Sequence, residues 1–221
     1  YATYIGGTGD EQPHSIIEDP YGNLVIAGRT NSPNYPIVQS PGAITGPGGG
    51  YDIIVTKLNA SGTALIGSMK IGGTGQDGVN IRDQASDVNQ PLSLKRNYGD
   101  DARSEVLLDR NNNILVASST SSNNFPITPN AVQKSLAGLQ DAALLILNPS
   151  CTNLTYSTFL GGKQNDAAYV LAIGLTGNIY VAGATASTDM TGISPSGVIK
   201  SVFVENTIKN DIQPDGFVLE L

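Results

Sequence analysis

The stretch YSTFLGG (residues 156–162) followed by GNIYVAG (residues 177–183) decides the fold, because both motifs recur along the chain. The first recurs as YATYIGG at residues 1–7 and SMKIGG at residues 68–73, and the second as GNLVIAG at residues 22–28 and NNILVAS at residues 112–118. Three copies of two separate motifs indicate an internal repeat, which has to be recognised before individual strands are assigned.

The spacing between the two motifs supports this interpretation. From the first glycine of the Gly-Gly pair to the turn asparagine, the separation is 17 residues in the first and third copies and 41 in the middle copy. We therefore place an insertion in the middle copy, at residues 82–103.

A third motif is an aspartate that opens an apolar run: DIIVTKL, DAALLIL and DGFVLEL, which begin at Asp52, Asp141 and Asp215. In the first two copies a turn-rich stretch, residues 59–68 and 148–157, then leads into the next Gly-Gly motif, as expected for a hairpin. Because the three aspartates recur in every copy, we interpret them as structural residues that fix a turn.

Each copy thus contains about four short strands, and the pattern predicts an all-β fold made of four-stranded antiparallel β-propeller blades. The three predicted units are residues 1–67, residues 68–155 with the insertion, and residues 156–221. Known propellers have roughly four to eight blades, so these three are expected to belong to a larger propeller. The last unit would be completed by residues 1–7 or by sequence outside this chain.

Composition narrows the classes of partner. The net charge is −7, only 14% of residues are charged, and Cys151 is the single cysteine. An acidic chain with scattered basic residues argues against nucleic acid. The absence of a long apolar run argues against membrane insertion, and one cysteine excludes both an intrachain disulfide and a cysteine-rich metal site. Any targeting signal is expected upstream of Tyr1.

On these motifs the sequence resembles the SBBP repeat family of bacterial β-propeller repeats. The match is carried by residues 156–162, by residues 177–183, and by DIIVTKLN at residues 52–59. The resemblance implies a secreted or cell-surface protein of Bacteroidetes-type bacteria that use type IX secretion, with no shared catalytic residues. It therefore implies a role in extracellular adhesion, binding or scaffolding.

Acidic residues follow each Gly-Gly pair: Asp10 with Glu11, then Asp77, then Asp166. Turns rich in oxygen ligands could hold calcium, so Asp10, Asp77 and Asp166 are candidate metal ligands, although turn formation explains them equally well. Convergence of these three carboxylates near a central axis would instead suit a glycosidase or lyase, a weaker alternative. We otherwise expect no cofactor and no catalytic activity.

Two further side chains carry groups that can take part in catalysis. His14, the only histidine, lies beside Ser15 but in no nucleophile motif, so we expect it on a blade surface. Cys151 occupies the turn position that Gly62 holds in the first copy, which predicts an exposed hairpin tip.

The insertion is the one segment that the repeat does not require, so it is the expected place for specific binding. Its candidate binding residues for an extracellular protein or a glycan are the charged and aromatic ones: Arg82, Lys95, Arg96, Tyr98, Asp100 and Asp101. A calcium-dependent, lectin-like binder is the alternative function. Further blades of the same protein, or other copies of the chain, are also expected partners.

Overall fold

The structure is a computed structural model, and it describes residues 2–38, 44–80, 103–190, 207–208, 211–212 and 214–221. The described part is all-β, as predicted, and contains no helix; accordingly, no described helix is long and apolar enough to cross a membrane. Its strands form three antiparallel sheets of four, four and three strands, with one additional two-stranded pair.

Sheet 1 contains, in spatial order, β1 (Glu11–Glu18), β2 (Leu24–Thr30), β4 (Asp52–Leu58) and β5 (Leu65–Ile71), with the short β3 (Ile44–Thr45) parallel to β5. Sheet 2 contains β6 (Glu105–Leu108), β7 (Ile114–Thr120), β8 (Asp141–Leu147) and β9 (Leu154–Leu160). Sheet 3 contains β10 (Asp166–Ile173), β11 (Ile179–Thr185) and β14 (Asp215–Glu220). The separate pair is β12 (Thr207–Ile208) with β13 (Asp211–Ile212).

The sheets repeat one register. The last residue of the second strand lies opposite the aspartate that opens the third strand: Thr30 opposite Asp52, Thr120 opposite Asp141, and Thr185 opposite Asp215. The three sheets can therefore be aligned residue by residue.

Sheet 2 lies between the other two sheets and packs against both. Alternate residues of its second strand enter different cores, because successive side chains in a strand point to opposite faces. Ile114 and Val116 pack with sheet 1, whereas Leu115 and Ala117 pack with sheet 3. All seven residues of β7 are buried, which explains why its first four residues, ILVA, are all apolar.

The predicted unit limits differ from the sheets. The strands β5 and β9 span the limits at residues 67 and 155, and each pairs with the strand that precedes it in the chain. The strands β5 and β9 are thus the fourth strands of sheets 1 and 2, and the Gly-Gly loop after each leads on to the next sheet. In the described part of the chain, no fourth strand pairs with β14.

The two predicted hairpins are confirmed, but the expected exposure of Cys151 is wrong. Cys151 and Gly62 share the same left-handed turn conformation, with φ of 55° and 67°. Cys151 is nevertheless fully buried, because its hairpin turn packs on sheet 1, where its Sγ donates to the Val55 carbonyl at 3.2 Å. Burial raises the pKa of its thiol to about 12.

Candidate functional site

The residues that recur in all three copies meet at the Gly-Gly loops, and they define the candidate site. The acidic residue that lies four positions after the second glycine is Glu11, Asp77 or Asp166. Glu11 and Asp166 open β1 and β10, whereas Asp77 forms an isolated bridge with Thr120, the last residue of β7. In the first copy the equivalent residue is therefore Glu11, and the predicted ligand Asp10 is its exposed neighbour.

Asp77 shows how the acidic residue is held. Its carboxylate accepts hydrogen bonds from the Gly73 amide (2.8 Å), the Thr120 hydroxyl and the Ser122 hydroxyl (3.0 Å). Thr120 and Ser122 follow each other as Thr-x-Ser at the end of the second strand, and the Ser122 amide donates to the Thr120 hydroxyl. The carboxylate thus links the Gly-Gly loop to the end of the second strand by hydrogen bonds.

The same arrangement recurs in the other two sheets. Asp166 accepts from the Gly162 amide (2.7 Å) and from the Ser187 hydroxyl (2.8 Å), and Thr185 supplies the other hydroxyl. Glu11 accepts from the Thr30 hydroxyl (2.9 Å) and from the Ser32 hydroxyl. We call each set of Gly-Gly loop, acidic residue and Thr-x-Ser turn a latch.

In each latch, a second set of hydrogen bonds connects the Gly-Gly loop to the Thr-x-Ser turn. The serine hydroxyl oxygen of each latch accepts a hydrogen bond from a loop amide: Ser32 from Gly9 (2.7 Å), Ser122 from Gly75 (2.8 Å) and Ser187 from Gln164 (2.9 Å). Two positions later, Asn34, Asn124 or Asp189 accepts the amide of Thr8, Thr74 or Lys163. The sequence interpretation missed this T-x-S-x-[N/D] motif, although its identical position after each second strand was a usable signal.

In two of the latches, a second carboxylate lies close to the acidic residue of the latch. A β-carbon placed on Gly72 would lie 2.0 Å from Asp52 Oδ1 and 2.7 Å from Asp77 Oδ2, so only a glycine fits between these groups. On Gly161, a β-carbon would lie 2.7 Å from Asp141 Oδ1 and 2.9 Å from Asp166 Oδ2. The structural aspartates and two of the candidate metal ligands therefore meet in pairs, one pair at each junction between sheets.

Burial dominates the electrostatics of these pairs. All four carboxylates are fully buried. Loss of hydration, with a smaller contribution from the neighbouring carboxylates Asp52 and Asp141, outweighs the hydrogen bonds and raises the pKa of Asp77 and of Asp166 to about 6. Burial also raises the pKa of Asp141.

The second aspartate of each pair has its own partners. Asp52 forms an ion pair with Lys70, whose Nζ lies 3.0 Å from Oδ2. Asp141 instead accepts from the Ala137 amide, the Gly138 amide and the Gln133 side chain, at 2.9, 3.1 and 2.7 Å. Asp215, the third aspartate of this series, is half-buried at the start of β14.

The three predicted metal ligands have different surroundings. Asp77 lies at the junction of sheets 1 and 2 and Asp166 at the junction of sheets 2 and 3, whereas Asp10 accepts a hydrogen bond from the Tyr51 hydroxyl at 3.3 Å. Within the described ranges, no three His, Cys, Asp or Glu side chains are grouped closely enough to hold a metal ion.

His14 is half-buried and links sheets 1 and 2. Its Nδ1 lies 3.2 Å from the Ser104 hydroxyl, which lies 2.8 Å from the Ser118 hydroxyl. The neighbouring Ser15 hydroxyl accepts the Val106 amide at 3.3 Å. Both side chains thus connect β1 to sheet 2.

A latch serine can be tested by truncation. In Ser122→Ala, the half-buried Gly75 amide loses its acceptor and the buried Asp77 loses a donor. We expect the free energy of unfolding to fall by about 1–3 kcal/mol, measured by urea denaturation. The matched control is Ser61→Ala, because the Ser61 hydroxyl bonds to that of Thr63 in an exposed turn, and its change should stay within about 0.5 kcal/mol. Equal stability of the two variants would contradict the latch.

The candidate binding residues of the insertion lie outside the described residues: Arg82, Lys95, Arg96, Tyr98, Asp100 and Asp101. Neither a comparison of the chain with protein-family models nor one with curated proteins finds a match.

Proposed function

We propose that this chain is a stretch of a secreted or cell-surface β-propeller that acts as a non-catalytic scaffold for extracellular adhesion or binding. Its three sheets would be consecutive blades, and its partners extracellular proteins or glycans. The resemblance to the SBBP repeats suggests the same role.

The observation that carries the proposal is that recurrent acidic side chains are buried and hydrogen-bonded within the chain. Asp77 and Asp166 are fully buried, and each accepts hydrogen bonds from its own Gly-Gly loop and Thr-x-Ser turn. Carboxylates that are buried and hydrogen-bonded inside the chain at both junctions stabilise the stacking of the sheets. This favours a structural role over a catalytic one as the reason why the acidic residue recurs in every copy.

The stacking of the sheets supports the blade interpretation. Each sheet has its strands in sequence order, apart from the short β3, and the chain passes from the outermost strand of one sheet to the first strand of the next. Sheet 2 is covered by an apolar core on both faces. Sheets that stack face to face in chain order are typical of propellers.

Such a scaffold leaves specificity to its loops, and the insertion is the loop that we propose for binding. The test uses the parent chain and a variant in which residues 82–102 are replaced by a short Gly-Ser linker. Both are applied to glycan arrays, immobilised extracellular matrix proteins and bacterial cells, with and without a calcium chelator.

We expect the parent to bind a probe and the loop variant to lose that binding while it unfolds at the same temperature. A charge variant, Arg82→Gln with Lys95→Gln and Arg96→Gln, should weaken binding, whereas Lys134→Gln on an exposed turn should leave it unchanged. Undiminished binding by the loop variant would show that the wrong loop is assigned. Turnover of a glycan probe would contradict the non-catalytic role.

A further inference from the structure

A lysine amine and a buried carboxylate lie in contact in sheet 1. Lys70 of β5 lies opposite Ile54, two residues from Asp52, so the side chains of Lys70 and Asp52 are on the same face of the sheet. Lys70 Nζ lies 3.0 Å from Asp52 Oδ2 and also donates to the Ser32 carbonyl at 3.2 Å. These two contacts hold the amine against the carboxyl group.

Asp52 has few other contacts that would stabilise its charge. It is fully buried, and apart from the lysine neither of its oxygens has a hydrogen-bond partner among the described residues. Its equivalent in sheet 2, Asp141, accepts three hydrogen bonds, and the residue there at the position of Lys70 is Phe159. The copy that has the lysine is thus the one whose aspartate is not held by loop amides.

A second buried lysine shows the opposite arrangement. Lys57 Nζ lies 2.7 Å from Asp19 Oδ2, but Asp19 also accepts hydrogen bonds from the amides of Tyr21 and Asn23, both at 2.9 Å. Burial alone would raise its pKa, but the hydrogen bonds outweigh burial and lower the pKa of Asp19 to about 2. Asp19 therefore stays ionised, and an ionised carboxylate resists attack by an amine.

A third group, Asp77, lies beside Asp52. Lys70 contacts Oδ2 of Asp52, whereas Oδ1 shares the space next to Gly72 with Asp77 Oδ2. Burial raises the pKa of Asp77 to about 6, so at lower pH this group is a carboxylic acid that can donate a proton. Asp52 thus lies between an amine and a proton donor.

We propose that Lys70 and Asp52 join in an isopeptide bond that forms within the folded chain, with Asp77 as the proton carrier. One ammonium proton first passes to the Asp52 carboxylate, because burial favours the neutral amine and acid over the charged pair. The Nζ lone pair then forms a bond to Cγ, and one carboxyl oxygen leaves as water with two protons that come from Nζ. Asp77 donates a proton to the oxygen that gains negative charge and recovers one from Nζ, so it is unchanged at the end.

The reaction needs no oxidant or cofactor, and each chain undergoes it once. The sheet already holds the two groups in contact, which removes most of the entropy cost of bringing an amine to a carboxyl group. The product amide also replaces a charged pair whose carboxylate is fully buried, an arrangement that is costly to desolvate. The bond closes residues 52–70 into a covalent loop, so β4 and β5 no longer separate at that end.

The mass of the intact chain reports the bond directly. In mass spectrometry under denaturing conditions, the parent chain should be lighter than its sequence mass by one molecule of water. After digestion with trypsin, residues 30–57 should remain joined to residues 58–82, with no cleavage after Lys70.

Two conservative lysine variants identify the amine. Lys70→Arg keeps a cation beside Asp52, but a guanidinium does not give up its proton in proteins, so this variant should have its full sequence mass. Lys57→Arg is the matched control at the other buried lysine, and it should lose water as the parent does.

The role of Asp77 is measured as a rate. When freshly synthesised chains are sampled over time, Asp77→Asn should form the bond about a hundredfold more slowly than the parent. Asp166→Asn, at the equivalent latch, should form it at the parent rate. Ser122→Ala weakens the same latch but keeps the Asp77 carboxyl, so it should also form the bond, which separates proton transfer from loss of the fold.

A parent chain with its full sequence mass would overturn the proposal, as would a link between Lys57 and Asp19. Loss of water that persists in Lys70→Arg would also overturn it, because a succinimide at the Asp77–Gly78 sequence has the same mass. Asp77→Asn chains that react at the parent rate would contradict the role of Asp77.

Discussion

Replacing Gly183 with serine is expected to lower the free energy of unfolding by about 3 kcal/mol, the upper end of the usual cost of overpacking. A β-carbon at Gly183 would lie 1.9 Å from the Ala167 carbonyl oxygen, where β10 bulges against β11. Because the obstacle is backbone, a change of rotamer gives no relief. Thermal denaturation should show a fall in Tm of about 6–12 °C for a chain of this size.

The chain contains its own control for this substitution. The equivalent residue in sheet 2 is Ser118, where β6 pairs with β7 without a bulge and the Ser118 hydroxyl bonds to Ser104. Ser118→Gly adds backbone entropy and loses this hydrogen bond but meets no clash, so it should cost only about 1–2 kcal/mol. If Gly183→Ser is no less stable than Ser118→Gly, the register assigned to β10 and β11 is wrong.

Lowering the pH from 7.5 to 5 is expected to stabilise the fold by about 3 kcal/mol. Asp77 and Asp166 have folded pKa values of about 6, above the ordinary value of 3.8, so the folded chain binds more protons than the unfolded chain between these limits. Their contribution to stability is complete below about pH 4 and is lost as the pH rises through 6, about 1.4 kcal/mol for each group between pH 5 and 7.5.

A buried carboxylate whose folded pKa is lowered affects stability below pH 5, as Asp19 shows. Hydrogen bonds to Lys57 and Asn23 outweigh burial and lower the pKa of Asp19 to about 2, so its contribution is lost only as the pH falls towards 2. The measurement is Tm as a function of pH for the parent and for Asp77→Asn with Asp166→Asn. The double variant should lose most of the dependence, whereas Asp10→Asn, at an exposed residue, should keep it. A double variant with the parent's full dependence would contradict the prediction.

The strands and hairpins could be predicted from the sequence because their signals are local. Turn residues and apolar runs recur at fixed spacing, and the aspartates of the third strands mark one register. The propeller itself remains a proposal. The predicted unit limits fall one strand earlier than the limits of the sheets, since hydrogen bonding places β5 and β9 in the sheets that precede them.

The candidate site was predicted only in part, because its residues meet through sheet stacking. The acidic turns indicate Asp77 and Asp166, but in the first copy they offer both Asp10 and Glu11, and only Glu11 lies four residues after the second glycine. Asp52 opens the third strand of sheet 1, whereas Asp77 bridges to the end of β7 in sheet 2, so the two carboxylates meet only because the sheets stack. Likewise, Cys151 is buried by the neighbouring sheet and not by its own hairpin.

The central claim is that equivalent sheets are joined by the same buried latch, and the amide protons of Gly73 and Gly162 report on it directly. Each amide donates to a latch carboxylate, Asp77 or Asp166. In NMR spectra recorded from pH 4 to 8, both resonances should shift with a common midpoint near pH 6 and exchange slowly with solvent. Midpoints that differ from one another, or that both lie near the ordinary aspartate value of about 4, would contradict the claim.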